Sequence, residues 1–140
     1  MDLKNRLALY NARKKYENFH GIKSFRIVLN GELTKKETDV IESIKKIDSQ
    51  CNDKIPLDSN RSNMIDWIKQ KVLCYLNYNS EIIIDGIGGA AIYFEDIEAF
   101  LQHYFEEKQN FDIMILNKDL KKCIVIFEEE YFLEFFDRDI

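Results

Sequence analysis

Histidine, proline, glycine and cysteine are all scarce in this sequence. One proline and five glycines in 140 residues leave no room for a long flexible linker. No tract is of low complexity and none repeats at a fixed period, which excludes solenoids and disordered arrays. Cys51, Cys74 and Cys123 are far apart and form no C-x-x-C pair. That excludes a zinc ribbon and a disulfide framework, and it suits reduced thiols packed as small hydrophobes in the cytoplasm. His20 and His103 have no second histidine or cysteine at ligand spacing. His103 and Glu107 lie four apart and share a helix face, but a metal site needs more ligands than that pair offers. No metal and no cofactor are therefore expected. No apolar run approaches the ~18 residues that span a bilayer. The start, Met1-Asp2-Leu3-Lys4-Asn5-Arg6, lacks the apolar centre of a secretory leader. A cytoplasmic protein with no membrane partner is expected.

What is present is a globular composition, 46% hydrophobic and 32% charged, on a chain long enough to bury a core as one domain over 1–140. The charge is divided along its length. Residues 1–80 carry 15 Lys and Arg against 10 Asp and Glu, and residues 81–140 carry 5 against 15. The late acids sit among aromatics in Phe127-Glu128-Glu129-Glu130-Tyr131-Phe132-Leu133-Glu134-Phe135-Phe136-Asp137. Acids attract basic partners, and aromatics supply contact area at small entropic cost. The lysine pairs of the first half, such as Lys14-Lys15 and Lys45-Lys46, are interspersed with acids, so nucleic acid is not an expected partner.

Periodicity divides the chain into elements. Leu3, Leu7 and Tyr10 recur at helical spacing, and Leu9, Tyr16 and Phe19 more loosely, predicting an amphipathic helix over 2–19. A strand over 23–29 follows. Thr34-Lys35-Lys36-Glu37 fits a capping box opening a helix over 35–50, with Val40, Ile41, Ile44, Ile47 and Cys51 on its buried face. Residues 51–60, with Pro56, read as a loop, and 61–77 as a third helix. Ile82-Ile83-Ile84 reads as an interior strand and 95–108 as a fourth helix. Strands at 111–116 and 122–127 are joined as a hairpin through 117–121. The stretch 130–136 is either a strand, which its composition favours, or a short helix. The expected fold class is α+β or α/β, a single domain with a mixed central sheet, about four helices packed on it and a C-terminal β-hairpin.

Catalytic chemistry is sought and not found. Gly86-Ile87-Gly88-Gly89-Ala90-Ala91 resembles a dinucleotide fingerprint only superficially, because Ile92-Tyr93-Phe94 after it reads as strand rather than helix. A turn or bulge that lets two chain segments approach is the better reading. Cys74 with His103 as nucleophile and base has no local support. Glu128, Glu129, Glu130 and Glu134 are read as a solvated strand end, a partner-binding surface, or a carboxylate pair or hard-cation chelate.

Phe25-Arg26-Ile27-Val28-Leu29-Asn30-Gly31-Glu32 leading into a helix resembles the opening of barstar-type ribonuclease inhibitors. Pro56 ahead of Asn63-Met64-Ile65-Asp66-Trp67-Ile68, and Phe105-Glu106-Glu107-Lys108 running into Phe111-Asp112-Ile113-Met114-Ile115-Leu116, are similar to that family's middle and closing elements, so the resemblance covers 23–116. More broadly the chain looks like the small acidic immunity proteins of contact-dependent and polymorphic toxin systems. The resemblance implies a non-catalytic inhibitor of a cognate toxin with a basic surface, a nuclease foremost. The expected contact residues are Glu106, Glu107, Glu128, Glu129, Glu130, Tyr131, Glu134, Phe135 and Asp137, with Tyr131, Phe132, Phe135 or Tyr104 as anchors. The C-terminal aromatics are equally readable as core. A phage or bacterial regulatory binding protein with another protein target is the alternative.

Overall fold

A computed structural model describes residues 2–140; Met1, the first residue of the segment read against a leader, lies outside them. The fold is α+β. Its elements in chain order are α1 (Leu3–Glu17), β1 (Ile22–Ile27), α2 (Lys35–Ile44), β2 (Asp53–Pro56), α3 (Arg61–Val72), β3 (Ile82–Ile84), β4 (Ala90–Phe94), α4 (Ile97–Glu106), β5 (Ile113–Asn117), β6 (Lys122–Glu128) and β7 (Phe132–Asp139), with a 3-10 turn at Leu73–Tyr75 after α3. Local chemistry sets the helix starts. Asp2, Asn60 and Asp96 each accept a backbone N–H of the first turn that follows. Thr34 and Glu37 form the capping box expected of them, Glu37 N–H to Thr34 Oγ1 at 3.1 Å and Thr34 N–H to Glu37 Oε1 at 2.8 Å.

All seven strands form one sheet in the order β1-β4-β3-β5-β6-β7-β2. The mixed sheet expected from the sequence is in fact antiparallel at every pairing. The connections explain this: β3–β4, β5–β6 and β6–β7 are joined by turns too short for a parallel crossover. Residues 132–136 of the stretch 130–136 belong to β7 and the first two to the turn before it, which answers the strand-or-helix alternative in favour of strand. The expected loop at 51–60 contains a strand instead. Pro56 is compatible with β2 because that strand is at the sheet's edge, paired only with β7, where a missing N–H leaves no partner unbonded.

The two sheet faces are covered unequally. Helices α1, α3 and α4 bury one face, where Ile68, Phe100, Leu101, Tyr104, Phe105, Ile82, Ile84, Ile92, Ile115, Ile124 and Ile126 form the main core. The other face has α2 alone, over Val28, Ile83, Ala91, Leu116, Cys123 and Phe136. Helix α2 ends at Ile44 rather than near 50, and Ile47, expected on its buried side, is fully exposed. Of the cysteines expected to be buried, only Cys123 is; Cys51 is half-buried and Cys74 exposed. Burial pushes the Cys123 thiol up to about 11. Among the described residues no helix is long and apolar enough to cross a membrane.

Candidate partner-binding face

The short α2 leaves a groove of about 630 Å³ beside it on the lightly covered face. Its construction follows from the pleat. In β6, Ile124 and Ile126 point to the main core, so Val125 and Phe127 point the other way; in β7, Leu133 and Phe135 point to the core, so Glu134 and Phe136 point into the groove. Phe127 and Glu134 are direct cross-strand partners. Met114 of β5 and Ile41 and Ile44 of α2 complete the apolar lining. Four carboxylates, Asp85, Asp112, Glu129 and Glu134, border the groove against two ammonium groups, Lys45 and Lys46.

The β6–β7 turn stands at one end of this groove. Glu129 N–H closes it on Phe132 O at 2.9 Å, and Leu57 N–H, next to β2, bonds Tyr131 O at 2.9 Å. Tyr131 is 66% exposed and Phe127 46%. Glu128, Glu129, Glu130 and Glu134 take part in no ion pair among the described residues. Other acids of the second half are committed. Glu81 pairs with Arg26 at 2.9 Å, and Asp137 and Asp139 with Lys122 at 3.0 and 2.7 Å.

The nine expected contact residues therefore divide. Glu129, Glu130 and Tyr131 stand at the hairpin end with Glu134 beside them on the groove face, whereas Glu128, opposite core-facing Leu133, points to the helix-covered side of the sheet. Glu106 and Glu107 lie at the end of α4, and the sheet stands between them and the groove. Glu106 accepts from Gln102 at 3.0 Å, and Glu107 lies 3.4 Å from His103 Nε2. Phe135 is a correction, since it is 7% exposed and packs in the main core; strand alternation turns it away from Glu134. Asp137 is a second correction, because it accepts from the Tyr75 hydroxyl at 2.6 Å and pairs with Lys122. Tyr104, a possible anchor, is fully buried. The acidic excess of the second half is not one patch: Glu95, Asp96 and Glu98 sit at the opposite end of α4 from Glu106 and Glu107.

Behind the groove lies a polar cluster that sequence reasoning did not find. Asp85, in the left-handed region at φ 64°, accepts from the hydroxyls of Tyr104 and Tyr16 and from Met114 N–H at 3.2 Å. Lys108 Nζ bonds the Tyr104 hydroxyl at 3.0 Å and Asp112 O at 2.7 Å. Burial, and then the Asp85 charge, holds both tyrosines well above the usual phenol range, while burial lowers Lys108. The cluster ties α1, α4 and the β3–β4 connection together around the fully buried Tyr104. The signal available in the sequence was an aspartate directly after three isoleucines and directly before a glycine.

Tyr75 gives a pH dependence. Its bond to the Asp137 carboxylate, with desolvation, pushes its ionisation up from 10.0 to about 12. A tyrosine that holds its proton more tightly when folded contributes stability that is complete below the unfolded value and is lost as pH rises through the folded one. The urea midpoint is expected to fall between pH 10 and about 12, and to fall less steeply in Tyr75→Phe. A wild-type midpoint unchanged across that window contradicts the assignment.

Comparison of the chain with protein-family models, with curated proteins and with solved structures found no match.

Proposed function

We propose that this chain is a non-catalytic immunity-type protein that binds a basic surface of a cognate toxin through its β6–β7 hairpin end and the adjoining groove. The observation that carries the reading is a set of four glutamates, Glu128, Glu129, Glu130 and Glu134, in no ion pair among the described residues in a chain that has 20 Lys and Arg, set beside exposed Phe127 and Tyr131. Unneutralised carboxylates steer a cationic partner toward the hairpin, and the rings then provide the desolvated contact that slows its departure. The toxin as partner, a nuclease foremost, rests on the resemblance to immunity proteins; the mode of binding rests on the hairpin. Such a protein acts in the cytoplasm, with its thiols reduced and no cofactor.

Binding kinetics with the cognate toxin test this. Reversing Glu128, Glu129 and Glu130 to Lys is expected to slow association about tenfold at ~0.1 M salt and hardly at all at ~1 M, because the Debye length falls from ~10 Å to ~3 Å. Tyr131→Ala is expected to speed dissociation about tenfold, equivalent to about 1.4 kcal/mol. Phe135→Ala serves as a contrast that lowers stability instead. Association indifferent to both salt and the charge reversal would sink the reading.

A further inference from the structure

Helix α1 carries two apolar stripes, and the fold uses the one that the sequence marks more weakly. Tyr16 is buried, with Leu9 and Ala12 half-buried against the main core. Leu3, Leu7 and Tyr10, the stripe expected to face inward, are 80%, 57% and 57% exposed. At 100° per residue these three fall within an arc of about 60°, roughly 160° away from the docked stripe. They point directly away from the body of the protein. Lys4 flanks them on one side and Arg6 and Arg13 on the other, none of these three in an ion pair among the described residues, and Lys14, which continues the stripe, pairs with Glu17 and lies over the Tyr10 ring. Apolar anchors at i, i+4 and i+7 between basic flanks have the form of a helix that lies in an acid-rimmed apolar groove.

Such a groove is present on this chain, with Met114, Val125 and Phe127 in its lining and an acidic excess at its border, Asp85, Asp112, Glu129 and Glu134 against Lys45 and Lys46. It opens on the sheet face opposite to α1, so the helix cannot reach its own groove. Pairing of α1 with α1 of a second copy is opposed by charge, because antiparallel stripes bring the basic flanks of the two helices together. We infer that α1 of one copy seats the Leu3–Leu7–Tyr10 stripe in the groove of a second copy, so that the chain self-associates head to tail. The choice of groove builds on the hairpin reading above. Self-association then masks the toxin-facing groove until a more strongly basic partner displaces the helix.

The test uses the purified chain alone, so it is separate from toxin binding. In sedimentation equilibrium at ~0.1 M salt the wild type is expected to rise above its monomer mass of 16.7 kDa as concentration increases. Leu7→Asp, and separately Glu129→Lys with Glu134→Lys, should each stay monomeric, with circular dichroism unchanged. An equimolar mixture of the two variants should form a dimer and nothing larger. One variant retains only an intact groove and the other only an intact helix, so a single contact is possible. A wild type that stays monomeric, a Leu7→Asp protein that associates like wild type, or a mixture that stays monomeric would each overturn the inference. So would a monomeric wild type whose α1 stripe instead drives sedimentation with phosphatidylserine vesicles. In all these outcomes the toxin kinetics of the hairpin variants remain an independent measurement.

Discussion

Replacing Asp85 by alanine is expected to lower the unfolding free energy by about 3 kcal/mol, although the residue belongs to neither apolar cluster. The loss comes from what remains behind. The fully buried Tyr104 hydroxyl is left with only Asp112 O at 3.4 Å, the Met114 N–H loses its side-chain acceptor, and Lys108 loses the nearby carboxylate that offsets its burial. The crowding of a Cβ against the following carbonyl at φ 64°, about 1 kcal/mol, is common to aspartate and alanine and is relieved only by glycine. Two further variants separate these contributions. Asp85→Gly relieves the backbone and still removes the acceptor, so most of the loss should persist. Asp85→Asn keeps an acceptor and tolerates the left-handed region, so about 1 kcal/mol should be lost. Urea unfolding followed by circular dichroism ranks the three. If the glycine variant is as stable as wild type, the hydrogen-bond cluster is not what holds α1 and α4 to the β3–β4 connection.

Gly89→Ala is expected to cost more still, on the order of 4 kcal/mol and roughly 12 °C in melting temperature. A Cβ at this position would lie 2.0 Å from Ile84 O, 2.9 Å from Asp85 C and 3.0 Å from Gly86 O, all of them backbone. The turn cannot easily yield. Gly89 N–H bonds Gly86 O, Val28 N–H bonds Gly89 O and Gly88 N–H bonds Val28 O, each at 2.9–3.0 Å. Relief of the clash would therefore disturb the pairing of β4 with both β3 and β1. Gly31 is the control, with φ 91° but nothing within 4 Å of the place a Cβ would occupy; there alanine should cost only about 1 kcal/mol. Calorimetry on both variants decides the matter; Gly89 is not among the positive-φ glycines, so a loss there no larger than at Gly31 would show that close approach does not govern the glycine turn.

That turn shows how far the sequence could be read. Gly86-Ile87-Gly88-Gly89 after an apolar strand and before Ile92-Tyr93-Phe94 marks a close approach of two chain segments, and Gly89 against Ile84 O is that approach. The capping box at Thr34 and Glu37 was equally legible, because both partners lie within one turn of chain. So were the interior strand at Ile82–Ile84 and the hairpin of β5 and β6, whose runs of apolar residues admit no solvated alternative. The β2 strand was not legible. Its four residues contain a proline and a single half-buried apolar side chain, and it is a strand only because β7 offers it an edge.

The binding face divides in the same way. The sequence by itself determined that acids and aromatics alternate near the C-terminus, and β alternation then required that some of those rings be core and some not. It could not determine which, since a shift of one residue in strand parity exchanges Glu134 and Phe135 between the two faces. Tertiary packing decided that parity: three helices cover one face and draw in Leu133 and Phe135, while the short α2 leaves Phe127, Glu134 and the groove beside them accessible. Helix α1 is the second case. Its periodicity specified a helix with apolar stripes but not which stripe would dock, and the more regular one, Leu3, Leu7 and Tyr10, is the one left in solvent. The choice depends on where Tyr16 and Phe19, buried against Phe25, Phe100 and Tyr104, fix the end of the helix. Those are contacts between residues far apart in the chain, and no local pattern in α1 encodes them.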